Sequence, residues 1–209
     1  MLVNPLFASN PGEGQQSSPY YPSTRLFLNP LYLRVEGASL PVVPGTRIDR
    51  DEVWRVKIPL LEAEFATFAG DPDFDAFLAE RGELLDRFAS YCARHEGRGD
   101  DRDRVRFHAW LQWRLDQQHR AAAAGIGLVG DLPVGVDPGG VDAWLWQDVF
   151  VPSMRVGAPP DAFNPEGQDW GLPPFDPWKL QAAEYEPFIQ TVRASLRHRC
   201  GLRGDHGKG

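Results

Sequence analysis

The run Gly125-Ile126-Gly127-Leu128-Val129-Gly130-Asp131-Leu132-Pro133 decides how the rest of the chain is read. Its first six residues are apolar and of strand length. The run then closes on a carboxylate and, two residues on, a proline that cannot extend a ladder of backbone hydrogen bonds. A carboxylate at the last residue of a buried strand is where barrel enzymes place functional groups, so Asp131 is the first candidate residue. Upstream, the stretch from Arg104 to Ala124 carries Phe107, Trp110, Leu111 and Leu115 on one helical face, with Gly125 placed to stop the helix. Helix, glycine, buried strand and polar loop is the rhythm of a parallel α/β sheet.

Beyond Pro133 the sequence up to Pro174 has neither helical nor alternating period. It is rich in Gly and Pro, yet it carries Trp144, Trp146, Asn164, Gln168, Asp169 and Trp170. Long ordered loops of this kind are usually functional. Aromatic faces beside Asp, Asn and Gln suit a sugar, whose C–H face packs on an indole while its hydroxyls take carboxylates and amides. Most of the seven tryptophans are expected in the core. Trp170 is the expected exception, because Gly167-Gln168-Asp169-Trp170-Gly171-Leu172-Pro173-Pro174 offers little regular structure to bury it.

Three segments carry a resemblance: Gly130-Asp131-Leu132-Pro133-Val134-Gly135-Val136, Val156-Gly157-Ala158-Pro159-Pro160-Asp161, and Phe163-Asn164-Pro165 continuing through Gly167 to Pro174. In this order they resemble the signature segments of the 4-alpha-glucanotransferases, also called amylomaltases or disproportionating enzymes, a branch of the alpha-amylase clan. The resemblance implies an α/β fold, a partial (β/α)8 TIM barrel with helical insertions. It implies malto-oligosaccharides and alpha-1,4-glucans as partners, with no metal or organic cofactor. It assigns glucan contact to Asp131, through sugar hydroxyls, and to Gln168, Trp170 and Pro173. Ser17-Ser18-Pro19-Tyr20-Tyr21-Pro22-Ser23-Thr24-Arg25 resembles the family's glucan-contacting loop, which suggests Tyr20 as a stacking platform and Ser18 as a hydroxyl contact; a purely structural loop stands beside that reading.

A second carboxylate lies in Cys200-Gly201-Leu202-Arg203-Gly204-Asp205-His206. On a strand, Arg203 and Asp205 point to one face, and a guanidinium there keeps a carboxylate ionised. The segment resembles the family's nucleophile strand. Carried over, Asp205 is the nucleophile of a retaining reaction, Arg203 its charge partner and His206 a neighbour of the sugar at the cleavage point. Gly204 departs from the pattern, which has an aliphatic residue there, and Gly207-Lys208-Gly209 replaces an apolar run. Retaining chemistry needs a second carboxyl group roughly 5 to 5.5 Å away as general acid. Neither Glu166 nor Glu184 matches the family's acid. The expectation is therefore a barrel incomplete at the C-terminus and, from the absence of a strand before Leu2-Val3, at the N-terminus, with little activity alone. A non-catalytic glucan-binding remnant is the alternative, and a debranching hydrolase of the same clan is weaker.

Composition is compatible. The 209 residues, 42% hydrophobic and 24% charged, suit one globular domain or part of one, although a complete barrel takes about 250 residues. A net charge of −7 argues against nucleic acid and anionic membranes as partners. Cys92 and Cys200 have no paired spacing, which fits a reducing cytoplasm, and no apolar run approaches a membrane span. By segments, residues 1–35 read as the glucan-contacting loop region and 49–124 as a mainly helical insertion. Residues 125–206 read as barrel strands with the active-site loop, and 207–209 as an aberrant tail.

Within the helical part, Asp49-Arg50-Asp51-Glu52 has capping-box spacing. Trp54, Ile58, Leu61, Phe65 and Phe68 follow, with Pro59 expected to kink or split the helix. Asp71-Pro72 marks a second start. Leu85, Phe88, Ala89 and Cys92 form a third stripe. His95, in the charged linker 94–104, is expected to be solvated, and His108 and His119 are expected to be solvated or capping groups. Asp176-Pro177 should begin a further helix that breaks at Pro187.

Overall fold

A computed structural model describes residues 1–39 and 48–204. The fold is mixed α/β, and the chain divides into two compact units. One comprises Met1–Ser9, Ser18–Phe27 and Gly125–Gly209; the other comprises Asn10–Ser17 and Leu28–Ala124.

The sheet unit is built on three parallel strands, β1 (Leu2–Val3), β2 (Val129–Leu132) and β5 (Gly201–Gly204), in the order β1-β2-β5. Register pairs Val3 with Gly130 and Asp131 with Arg203. The strand β2 is shorter than the apolar run suggests. Gly125 takes a φ of +78°, and regular pairing begins only at Val129, so Asp131 is the last but one strand residue rather than the last. Helix α6 (Glu186–Leu196) packs on β2 and β5, and Arg199, just beyond it, runs across Gly130. A Cβ at Gly130 would lie 2.7 Å from the Arg199 Cδ, so a larger residue here would displace the Arg199 side chain. The Arg199 guanidinium donates to the Ser195 carbonyl and lies 5.8 Å from the Phe7 ring.

The segment between β2 and Pro174, which lacks any period in sequence, is more regular than it reads. It contains α4 (Val141–Leu145) and an antiparallel hairpin of β3 (Val156–Ala158) and β4 (Gln168–Leu172), and α5 (Pro177–Ala182) follows where Asp176-Pro177 signals a helix start. The pairing is irregular between Val156 and Gly157, which hides the alternation that would reveal a hairpin. Gly157 is obligatory there, because a Cβ would fall 1.9 Å from the Gln168 carbonyl oxygen. The Asp161 carboxylate accepts the Phe163 and Asn164 N–H groups and closes the hairpin loop. Asp176 caps α5 through the Trp178 and Lys179 N–H groups. The break before α6 falls at Glu184 and Tyr185, both left-handed, and Pro187 sits in the first turn of α6, where a missing N–H costs nothing.

The helical unit holds α1 (Arg50–Ala66), α2 (Pro72–His95) and α3 (Arg102–Ala123). Asp49, Asp71 and Asp101 cap them by accepting N–H groups of Glu52, Asp73 and Arg104. The helix α1 runs unbroken through Pro59; the carbonyl freed at Arg55 lies on the exposed side, where water can satisfy it. The second and third stripes belong to α2, which is kinked at Gly82 (φ 53°). Aromatic rings make the core: Phe65 meets Phe107 at 5.5 Å and Trp110 at 5.6 Å, and Trp113 meets Phe74 at 5.4 Å. Each such ring contributes about 1.5–3 kcal/mol by leaving water. Two glutamines of α3 act as backbone clamps, Gln112 exchanging both amide bonds with Leu28 and Gln118 doing the same with Arg34.

His95 is exposed, but the expectation for His108 fails in this unit: it is buried, as is Arg104 at the start of α3. Glu96 receives both: Arg104 donates through Nε and Nη2, and His108 Nε2 lies 3.0 Å from Glu96 Oε2. Glu62 takes a further Arg104 hydrogen bond. The tryptophans also divide unevenly: Trp54, Trp110 and Trp113 are buried in the helical unit, while Trp144, Trp146 and Trp170 of the sheet unit are half-buried and Trp178 is exposed.

Candidate functional site

Three of the candidate residues meet at the carboxyl end of the parallel sheet. Asp131 on β2 is 2% exposed. Its Oδ2 accepts the Tyr20 hydroxyl at 2.7 Å and an Arg203 guanidinium N–H at 3.0 Å. Register explains the second contact, since Asp131 and Arg203 are cross-strand partners in a parallel pair and point to the same face. Tyr20 arrives from the loop after β1. It is 37% exposed, so its ring is available while its hydroxyl is engaged. The hydrogen bond to Asp131, then burial, then the Asp131 charge push the Tyr20 phenol up; Arg203 works against that shift.

The remaining oxygen, Asp131 Oδ1, is buried and has no hydrogen-bond partner among the described residues. A buried carboxylate oxygen left unmatched is costly unless something else supplies a donor. The cluster thus offers one open acceptor, one aromatic face and one cation, a set that suits a neutral polyhydroxylated ligand better than an anion.

The other candidates lie around this cluster in the sheet unit. Ser18 is exposed, and its hydroxyl accepts the Tyr20 N–H at 3.2 Å, which shapes the turn carrying Tyr20. Gln168 and Trp170 lie on β4; the Trp170 indole N–H donates to Gln168 Oε1 at 3.0 Å, and the two side chains form a paired surface on the hairpin. Pro173 is buried, so its ring packs inside, away from solvent. Asp205 and His206 lie outside the described residues.

Hairpin and cluster are tied within the unit. Tyr21, next to Tyr20, brings its hydroxyl within 3.6 Å of the Cβ position of Gly171, and Gly135 after β2 packs against Leu172. Arg25 was grouped by resemblance with the glucan-contacting loop, yet the structure turns it inward, 4% exposed, beside Asp142. Neither Arg25 nor Asp142 carries a sequence signal of burial. An arginine in a Pro-Ser-Thr-Arg run reads as a loop residue, and Asp142 lies in a stretch without helical or alternating period. Among the described residues no helix is long and apolar enough to cross a membrane.

The chain matches the family described as 4-alpha-glucanotransferase over residues 1–102 and 94–209. It is 38% identical to a 4-alpha-glucanotransferase of Mycobacterium tuberculosis H37Rv over 99% of its own length. It spans 36% of that relative, about a third of its length. Among solved structures, it superposes on an amylomaltase from Corynebacterium glutamicum with a TM-score of 0.87 and 34% identity, covering 98% of this chain and 35% of that one. An amylomaltase from Streptococcus agalactiae in complex with acarbose gives a TM-score of 0.82 at 19% identity, over 98% of this chain and 51% of that one, which bears on fold alone. With both family segments together running from residue 1 to residue 209, this chain belongs to the 4-alpha-glucanotransferase family.

Proposed function

We propose that this chain forms the glucan-gripping part of a 4-alpha-glucanotransferase, a cytoplasmic enzyme that moves a segment of an alpha-1,4-glucan to the 4-hydroxyl of glucose or of another glucan. The observation that carries this reading is the open Oδ1 of buried Asp131 beside the Tyr20 ring and Arg203. In this assignment Asp131 accepts hydroxyls of a bound glucose unit. Tyr20 and Trp170 supply stacking faces, Ser18 and Gln168 supply polar contacts, and Pro173 supports the hairpin from beneath. Asp205 is the nucleophile of a double displacement, Arg203 keeps it ionised, and His206 neighbours the sugar at the cleavage point. The parallel sheet β1-β2-β5 is part of a (β/α)8 barrel whose helical insertion is the unit containing α1 to α3. Water exclusion by the β3–β4 hairpin favours a sugar acceptor over hydrolysis.

The described residues bring one carboxyl group to the cluster, whereas retaining chemistry takes two. The 209-residue chain assayed by itself is therefore expected to hold maltoheptaose in calorimetry and to leave maltotriose unchanged. Appearance of shorter and longer malto-oligosaccharides would assign full transferase activity to these residues. Absence of any heat of binding would remove the glucan reading.

A further inference from the structure

We infer that Arg25 is a positioning residue for the Tyr20–Asp131 pair, holding from beneath the two chain segments that carry its two ends. The inference concerns the same site as the proposed function and rests on that reading for its importance. Its geometry stands independently of it.

Tyr20 lies on the segment 18–27 and Asp131 on β2, and they are 111 residues apart in sequence. A hydrogen bond between an exposed loop tyrosine and a strand carboxylate lasts only if something fixes the loop against the strand. Arg25 is placed to do this. Its Nη1 donates to the carbonyls of Val134 at 3.0 Å and Pro133 at 3.3 Å, the second and third residues after Asp131. Its backbone N–H donates to Asp142 Oδ2 at 2.8 Å. The guanidinium lies 5.6 Å from the Phe175 ring, which stacks on Phe150 at 4.5 Å, so the charge has a packed floor.

Neighbouring bonds fasten the same two segments. Ser23 Oγ accepts the Val141 N–H, the Ser23 carbonyl accepts the Asp142 N–H, and the Pro22 carbonyl accepts the Asp137 N–H. A Cβ at Gly140 would lie 2.5 Å from the Ser23 carbonyl oxygen, which shows how close the two backbones run. Arg25 differs from these fasteners because it reaches the stretch directly after Asp131. Burial pushes its guanidinium down, with Asp142 opposing; burial likewise pushes the Asp142 carboxyl up, with Arg25 and Thr24 opposing. A buried cation bound to two carbonyls in this way has little freedom to let the strand exit move.

The test needs no glucan. The phenol of Tyr20 reports its bond to Asp131, with Arg203 the other charged group facing it. The full chain, labelled with carbon-13 tyrosine and with Tyr20 assigned through Tyr20→Phe, is titrated by NMR. Arg25→Met, which fills similar space without donors, is expected to keep its helical circular dichroism while the Tyr20 titration falls to that of Asp131→Asn, the reference for a broken bond. Arg25→Lys, whose ammonium can replace the single donating nitrogen, is expected to return the titration towards wild type. A folded Arg25→Met whose Tyr20 titrates as in wild type overturns the inference. Should Arg25→Met fail to fold, Arg25→Gln, two heavy atoms shorter and still polar, is judged by the same shift: a displaced titration supports the inference and an unchanged one ends it. A titration displaced in a chain that never bound maltoheptaose would uphold Arg25 and sink only the glucan reading.

Discussion

Glu96 in the helical unit and Asp131 in the sheet unit are both shielded carboxylates beside an arginine, yet their oxygens are engaged differently. Glu96 Oε2 meets Arg104 and His108, and Oε1 meets Arg104 again, so both oxygens are matched inside the protein. Among the described residues, Asp131 has two donors on Oδ2 and none on Oδ1. The first arrangement fixes α2 against α3; the second keeps an acceptor in reserve. Under the proposed function, the contrast separates a carboxylate that holds a fold from one that waits for a ligand, and it can be broken by mutation.

The largest effect belongs to Glu96→Ala, which leaves Arg104 with Glu62 alone and His108 without its acceptor. Removing one partner of a buried, hydrogen-bonded pair costs about 3 kcal/mol, and thermal unfolding should show a drop in Tm of roughly 6–12 °C. Maltoheptaose affinity of the folded fraction should be unaltered. The same pair sets an acid limit. Burial alone would raise the Glu96 carboxyl; the hydrogen bonds and charges of His108 and Arg104 reverse this and hold it at about 2, against 4.5 for an ordinary glutamate. The unfolded chain therefore takes up that proton first. The Glu96 contribution is full above pH 4.5 and disappears as pH falls towards 2. Burial also depresses His108, with Glu96 opposing, so its contribution fades as pH drops below 6.5. Denaturant midpoints measured from pH 8 to pH 3 should decline in wild type and flatten below pH 4.5 in Glu96→Gln.

Asp131→Asn inverts that pattern. A charged acceptor is lost where the proposed glucan sits, so maltoheptaose affinity should weaken by roughly 10- to 100-fold, as expected for a hydrogen bond to a charged group. Unfolding should move by about 1 kcal/mol or less, because Arg203 is half-exposed and easily resolvated. A loss of stability as large as that of Glu96→Ala, with binding retained, would erase the distinction between the two carboxylates.

Sequence revealed the two carboxylates unequally, for physical reasons. The apolar run to Asp131 and the Arg203 spacing are local patterns, and so are the caps at Asp49, Asp71 and Asp176. The burial of Arg104 and His108 depends on Glu62 and Glu96, on helices whose packing no local pattern encodes. The β3–β4 hairpin escaped detection because its one irregularity at Gly157 shifts the alternation, and because nine residues separate its strands. Arg25 was legible only as a loop residue, since its partners lie more than a hundred positions away.

The smallest effects sharpen how far the open side of the comparison extends. Gly157→Ala would drive a Cβ to 1.9 Å from the Gln168 carbonyl oxygen, a backbone atom that cannot swing aside, so β3 and β4 must separate locally. Binding should then weaken with little change in global unfolding, since the hairpin lies apart from the sheet's own ladder. Trp170→Ala removes the indole face and its bond to Gln168, and the expected loss is about 2- to 10-fold in maltoheptaose affinity. If Gly157→Ala and Trp170→Ala weaken binding equally, the hairpin acts through Trp170 alone. If Gly157→Ala is the worse, its backbone shape or Gln168 contributes as well. If neither matters, the reserve of unmatched hydrogen-bonding capacity ends at Asp131, and the hairpin does not belong to the ligand site.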